Sequence, residues 1–283
     1  MPIAALLAIG NELLNGDIRD KNLFTLSRRL TRLGFRVQQA ILARDEPDAI
    51  AEAMHILLSR PIDLLICSGG LGPTDDDLTL AALAQALDRP LAFDSDAYQH
   101  IAGHYERLIR EERLHHPSPE ATRRKMAKLP AGATPLPNSM GTAPGVALEY
   151  HGTLIYALPG VPEELEAIFA ESIAPKLQAR FETAAWAERA FFVHCDDEAT
   201  LAPILHEVSE AHAEVYIKSL ARPFFSAGSH RLKVLVMTHG EDASQAHTHV
   251  AHTCADLQAA LQRAGFDFEP ITPDEETTTP RAM

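Results

Sequence analysis

The chain has 283 residues, 25 basic against 39 acidic, for a net charge of -14 with histidine neutral. That balance argues against a nucleic-acid partner, whose phosphates would want a basic face. With 46% hydrophobic residues there is core enough for two domains, and no run approaches the roughly 18–20 apolar residues of a membrane span. Cys67, Cys195 and Cys254 lie far apart and form neither a disulfide framework nor a zinc knuckle. No basic residue precedes the first apolar run and no cleavage pattern follows it, so a cytoplasmic protein is expected.

Ile3–Ile9 reads as a first buried strand, ending at Gly10. Gly10–Asn22 follows as a loop with polar groups spaced through it. Leu23–Leu33 is amphipathic at helical spacing, with Gly34 as its stop. Phe35–Leu42 alternates as a second strand. Asp45 and Pro47 then introduce a helix over Asp48–Leu58. Asp63–Cys67 is a short apolar run, as a buried parallel strand should be.

That third strand runs into Ser68-Gly69-Gly70-Leu71-Gly72-Pro73-Thr74-Asp75-Asp76-Asp77-Leu78-Thr79, before a helix over Leu78–Leu87. Three glycines in four positions let a ligand approach the backbone, and amides at a helix start favour an anion. Three consecutive aspartates would repel that anion. A divalent cation between carboxylates and phosphate resolves the conflict. The alternative is plain punctuation, with Thr74 or Asp75 capping and the carboxylates favoured by the macrodipole.

Strand, loop and helix repeat three times before residue 90, the mark of parallel βαβ units with helices on both faces of a sheet. The expected fold class is therefore α/β. Ligands bind beyond the carboxyl ends of such strands, where Gly10–Asn22, Asp45 and Gly69–Thr79 all fall. Tyr98–Leu114 is a charged helix with His100 and His104 on one face, and Ala121–Leu129 is basic. Both read best as solvated faces. Leu136–Gly145 and Pro159–Pro162 are dense loops flanking the strands Val146–Glu149 and Thr153–Leu158, and read either as cleft walls or as ordinary turns.

After about residue 172 the order β-α-β-β-α predicts a smaller α/β domain over 173–269, with a disordered tail over 270–283. Lys218 and Arg222 are surface cations there. His247, His249 and His252 lie on one helix, where only the last two share a face, which makes a poor metal site.

Four ordered motifs over about 160 residues carry a family resemblance. They are Gly10-x-Glu12-Leu13-Leu14-x-Gly16 with Asn22, Gly69-Gly70-Leu71-Gly72-Pro73-Thr74-x-Asp76-Asp77-Leu78-Thr79, Asn138-x-x-Gly141-Thr142-Ala143-Pro144-Gly145, and Leu158-Pro159-Gly160-x-Pro162-x-Glu164-Leu165. The chain resembles the N-terminal region of the competence/damage-inducible CinA family, whose first domain is similar to the molybdopterin-binding domains of MoaB and MogA. Residues 1–172 would be that three-layer domain, with a mostly parallel sheet. Asn11 stands where the family commonly has Thr, and Val161 where it has Pro. Asp75 occupies a variable position. CinA proteins carry a further domain that deamidates nicotinamide mononucleotide; the chain ends before it, so that activity is not expected.

The resemblance implies hydrolysis of ADP-ribose to AMP and ribose 5-phosphate with Mg²⁺, or with Mn²⁺ or Co²⁺. The alternatives are a molybdopterin binder or adenylyltransferase and a non-catalytic nucleotide-binding regulator. Asp77 and Asp45 resemble aspartates thought to act in the MogA-like site. The expected roles place Asp76, Asp77 and Glu12 on the metal, with Asp45 as a general base or second metal contact. The amides of Gly69, Gly70 and Gly72 with the Thr74 and Thr79 groups would hold phosphate oxygens, and Pro73 would belong to the same substrate-binding turn. Asn22, Asn138, Gly141, Thr142, Ala143, Gly145, Pro159, Gly160 and Glu164 would hold adenosine or ribose, or a pterin. The resemblance also implies a homodimer.

Overall fold

The computed structural model describes residues 1–116, 118–182, 184–220 and 231–271. Arg222 and positions 272–283 of the expected tail lie outside the described residues. The chain divides into two compact units, Met1–Thr183 and Ala184–Met283.

The first unit contains β1 (Ile3–Ile9), α1 (Asn11–Leu14), α2 (Asn22–Arg32), β2 (Arg36–Ala43), α3 (Pro47–Leu58), β3 (Leu64–Ser68) and α4 (Thr79–Ala86). It continues with β4 (Leu91–Phe93), α5 (Ser95–Arg110), α6 (Glu120–Met126), β5 (Lys128–Pro130), β6 (Thr134–Leu136), β7 (Gly145–Tyr150) and β8 (Thr153–Leu158). It closes with α7 (Pro162–Ile168), a π-turn over Phe169–Ile173, and α8 (Ala174–Arg180). Its main sheet has six strands in the order β2-β1-β3-β8-β7-β6. The first four run parallel, and β7 and β6 are antiparallel additions at one side.

Both faces of the central strands are buried because their side chains alternate between two apolar layers. Ala5, Leu7 and Ile9 of β1 enter one core with Ile50, Met54 and Leu57 of α3 and Leu83 of α4. Ala4 and Leu6 enter the other with Leu26 and Leu30 of α2 and Leu165 and Ile168 of α7. Each fully buried leucine contributes roughly 1.5–3 kcal/mol. The result is the three-layer arrangement that the repeating βαβ pattern predicts.

Register levels the strand ends. Ala8 pairs with Ser68 and Ser68 with Leu158, while Ile9 pairs with Ala43. The loops that leave β1, β2, β3 and β8 therefore start side by side on one edge of the sheet.

Three features depart from the expected elements. The segment after Gly10 is not all loop, since Asn11–Leu14 makes a short helix. The short strands β4, β5 and β6 lack the length to register as periodic patterns. The first domain runs past the boundary expected at residue 172, through the π-turn and α8 to Arg180.

The second unit contains β9 (Ala185–His194), α9 (Glu198–Ala211), β10 (Tyr216–Leu220), β11 (Arg231–Gly240), α10 (Ala243–Arg263) and β12 (Phe268–Pro270). Its four strands lie in the order β10-β11-β9-β12, all antiparallel. The β-α-β-β-α order holds, with β12 added. Pro270, expected to begin the tail, pairs instead with Phe191. Asp197 and Asp242 cap α9 and α10 by accepting from Ala199 N at 3.0 Å and Gln245 N at 2.8 Å. Among the described residues no helix is long and apolar enough to cross a membrane.

Candidate functional site

A cleft of about 720 Å³ opens at the levelled strand ends of the first unit. Its floor is the turn after β3. Gly69 has φ 101° and Gly70 φ 65°, a region that L side chains rarely adopt. Gly69 N donates to Leu158 O at 3.0 Å, and a Cβ at Gly69 would collide with Ile9 O. Gly69 is thus wedged between the ends of β1 and β8, and only glycine fits. Thr79 is fully buried behind the turn, where its hydroxyl donates to Gly69 O at 2.7 Å and its amide to Gly70 O at 3.2 Å. It braces the glycine loop from below, so the expectation that it touches phosphate gives way to a supporting position.

The aspartate run folds back over this turn. Thr74 N donates to Asp77 Oδ2 at 2.8 Å, and Thr74 Oγ1 lies 2.6 Å from the same oxygen and also bonds Asp76 Oδ1. Thr74 thereby holds two carboxylates together, Asp77 through its amide and Asp76 through its hydroxyl. The Thr74 bond is the main cause holding the Asp76 carboxyl below its usual range, with Lys125 adding to it. Lys125 Nζ donates to Thr74 O, so one member of the basic helix docks on the loop. Asp76 and Asp77 line the cleft; Asp75 and Thr74 do not.

Asp45 follows β2 and enters from the side. Its Oδ2 accepts from Asn11 N at 2.7 Å, which ties the end of β2 to the start of α1. Burial pushes its carboxyl above the usual range, against that bond, and the charges of Glu12, Asp76 and Asp77 add to the rise. Four carboxylates from three loops therefore share one field, and all four line the cleft. Glu12 folds over Gly10, where a Cβ would strike its carboxylate.

The opposite wall is built by Asn22, Pro159, Gly160, Thr142, Ala143 and Glu164. Asn22 Nδ2 donates to Gly160 O at 2.9 Å, which fixes its amide orientation and ties α2 to the loop after β8. Its Oδ1 is enclosed without a partner among the described residues. Asn138 is 1% exposed and does not line the cleft. Its Nδ2 donates to Ala143 O at 2.8 Å and Glu164 Oε2 at 2.7 Å, while its Oδ1 accepts from Met140 N at 3.1 Å and Gly141 N at 2.8 Å. The side-chain amide of Asn138 is thus spent on shaping the 138–145 loop and on holding Glu164. Gly141 leaves room for the Glu164 carboxylate, and Gly145 starts β7 against Ile168 and Leu158. These three residues position the wall rather than touch what it encloses.

Cleft residues that motif reasoning passed over include Ile18, Arg19, Lys21, Tyr105 and Val161. Ile18 is 58% and Val161 49% exposed, and no local pattern in the sequence points to them.

No three His, Cys, Asp or Glu side chains among the described residues are grouped to hold a metal ion unaided. Asp76 and Asp77 nevertheless offer adjacent hard oxygen donors. Such a pair suits Mg²⁺, which binds through one or two carboxylates with ligand phosphates and water completing the shell.

Residues 5–179 match the family described as "Probable molybdopterin binding domain". A protein of Pyrobaculum aerophilum is 40% identical over 222 residues, 78% of this chain and 80% of its own length. One from Pyrococcus furiosus is 38% identical over 72% of this chain and 79% of its own length. The crystal structure of the CinA protein of Thermoplasma acidophilum, itself of unknown function, superimposes with a TM-score of 0.54 at 32% identity, over 62% of this chain and 97% of that one. The glycine turn, its buried brace and the four-carboxylate cleft all lie inside the matched stretch, and this chain belongs to the family of probable molybdopterin-binding domains.

Proposed function

We propose that the cleft binds a phosphorylated pterin of the molybdopterin type. The observation that carries the reading is the braced Gly69–Gly70 turn on the floor of a cleft of about 720 Å³, inside the family match. That volume suits a ligand of two or three fused rings with a phosphate. Successive amides in such turns form anion-binding concavities; the Gly69 amide is committed to Leu158 O, so the amides of Gly70–Gly72 hold the phosphate oxygens. Asp76 and Asp77 would hold Mg²⁺, Mn²⁺ or Co²⁺ beside them, with Glu12 contributing its charge to the same cleft. A divalent ion held there would supply charge neutralisation of the phosphate and polarisation of its oxygens.

A second reading, hydrolysis of ADP-ribose to AMP and ribose 5-phosphate, is favoured by the carboxylate pair that Thr74 clamps. A single phosphate leaves four carboxylates poorly matched, whereas a bridging diphosphate and its cation use them. In this reading a water oxygen bonds one phosphorus as the bridging P–O bond breaks. Asp45, whose pKa is raised, takes the water's proton.

Calorimetric titration of the protein with molybdopterin and with ADP-ribose, each without metal and with Mg²⁺, Mn²⁺ or Co²⁺, separates the two. Saturable molybdopterin binding without AMP release supports the first reading. Metal-dependent AMP release that Asp77→Asn abolishes supports the second. Neither signal, with any of the three metals, refutes both.

A further inference from the structure

We propose that Glu164 tells a pterin from an adenine, its carboxylate accepting the paired N–H groups of the 2-amino-4-oxo ring. The inference rests on the pterin reading above and deepens it.

Glu164 stands in the first turn of α7, behind Pro162, and lines the cleft. Among the described residues no cationic side chain pairs with it; its partner is Asn138 Nδ2 at 2.7 Å. Burial raises its carboxyl above the usual range despite that bond, and the neighbouring Glu163 charge adds to the rise. A half-buried carboxylate held at a cleft wall without a cation is costly unless a ligand repays it. The placement is also over-determined. Asn138 is buried, fully bonded and fixed by four hydrogen bonds, so the oxygen it holds does not wander. Gly141 supplies the space: any Cβ there would strike the carboxylate carbon and both oxygens.

The chemistry then selects the ligand. A carboxylate cannot face the phosphate, so it must face a part of the ligand that carries donors. It offers acceptors only, on two oxygens, and so prefers two parallel N–H groups, the fork that guanidinium presents. The 2-amino-4-oxo pteridine ring has that fork in its N3–H and 2-amino groups. An adenine edge offers one donor beside a ring-nitrogen lone pair, which would oppose a carboxylate oxygen. Discrimination thus comes from an attraction and a repulsion at the same atoms.

The test titrates the full chain with 6-hydroxymethylpterin, with its 2-oxo counterpart, and with adenosine, and repeats all three on Glu164→Gln. The wild type should bind the pterin at least about tenfold tighter than the 2-oxo analogue, since a buried acceptor left unmatched is costly. Glu164→Gln keeps one acceptor for Asn138 but turns a donor toward the ligand, and should bring the ratio to within about threefold. Equal binding of pterin and 2-oxo analogue by the wild type would overturn the role of Glu164 and leave the pterin reading standing. A ratio that survives Glu164→Gln would do the same. Binding of adenosine with no pterin bound would remove both. The wild-type ratio needs no variant, so a Glu164→Gln protein that failed to fold would still leave a decision.

Discussion

At the scale of single residues the site is a set of carboxylates held apart from their preferred surroundings. The sign of the Asp45 effect follows from its raised pKa. A carboxyl that binds its proton more tightly in the fold contributes stability below its unfolded pKa, and loses it as pH rises through the folded value. Its ionisation therefore works against the fold at neutral pH. Asp45→Asn should raise Tm by about 1–2 °C near pH 7 and change nothing near pH 3, where both forms are neutral. Thermal melts of the two proteins at both pH values check this, and a lower Tm for the variant near pH 7 would contradict it. Thr74 acts differently, because its hydroxyl holds Asp76 beside the Asp77 that its amide holds. Thr74→Val should leave the melt nearly unchanged while weakening Mg²⁺-dependent ligand binding by about tenfold. Titration at fixed Mg²⁺ tests that, and unchanged binding would show that the clamp does not matter.

At the scale of elements, legibility tracked periodicity and length. The β1, β3 and β8 runs are apolar and closed by Gly10, Gly69 and Pro159, so their placement and the edge on which their loops meet follow from pattern. The helix around Asp48–Leu58 is announced by Pro47. Other elements carry no such signal. β4, β5 and β6 are three-residue strands, and α1 exists because Asp45, distant in sequence, accepts from Asn11 N. The same limit applies to roles. Glycine and aspartate motifs marked the cleft, but nothing local says that Asn138 and Thr79 turn inward as braces. Nor does local sequence say that Ile18 and Val161 stay exposed on its walls. The glycine turn gives this scale its prediction. Gly69→Ala places a methyl against Ile9 O at φ 101°, so it should cost more than about 2 kcal/mol. Urea unfolding measures it, and a loss below about 0.5 kcal/mol would mean that the strand ends can part to admit a side chain.

At the scale of the whole molecule, the net charge of -14 and the acidic cleft set the terms for any anionic ligand. Without a divalent ion, such a ligand approaches against repulsion that salt screens within about 8–10 Å at ordinary ionic strength. Added salt should therefore leave metal-free affinity unchanged or tighten it, the reverse of a basic phosphate binder. A loss of about tenfold between low and moderate salt would contradict that account. The cleft lies wholly within Met1–Thr183, so ligand choice belongs to that unit.

The most direct measurement is calorimetric titration of the purified protein with molybdopterin in Mg²⁺, alongside ADP-ribose under the same conditions. Saturable molybdopterin binding, weakened at least about tenfold by Asp77→Asn, is the result expected. Absence of molybdopterin binding, with ADP-ribose bound and cleaved to AMP, would contradict the pterin reading and move the cleft to diphosphate hydrolysis.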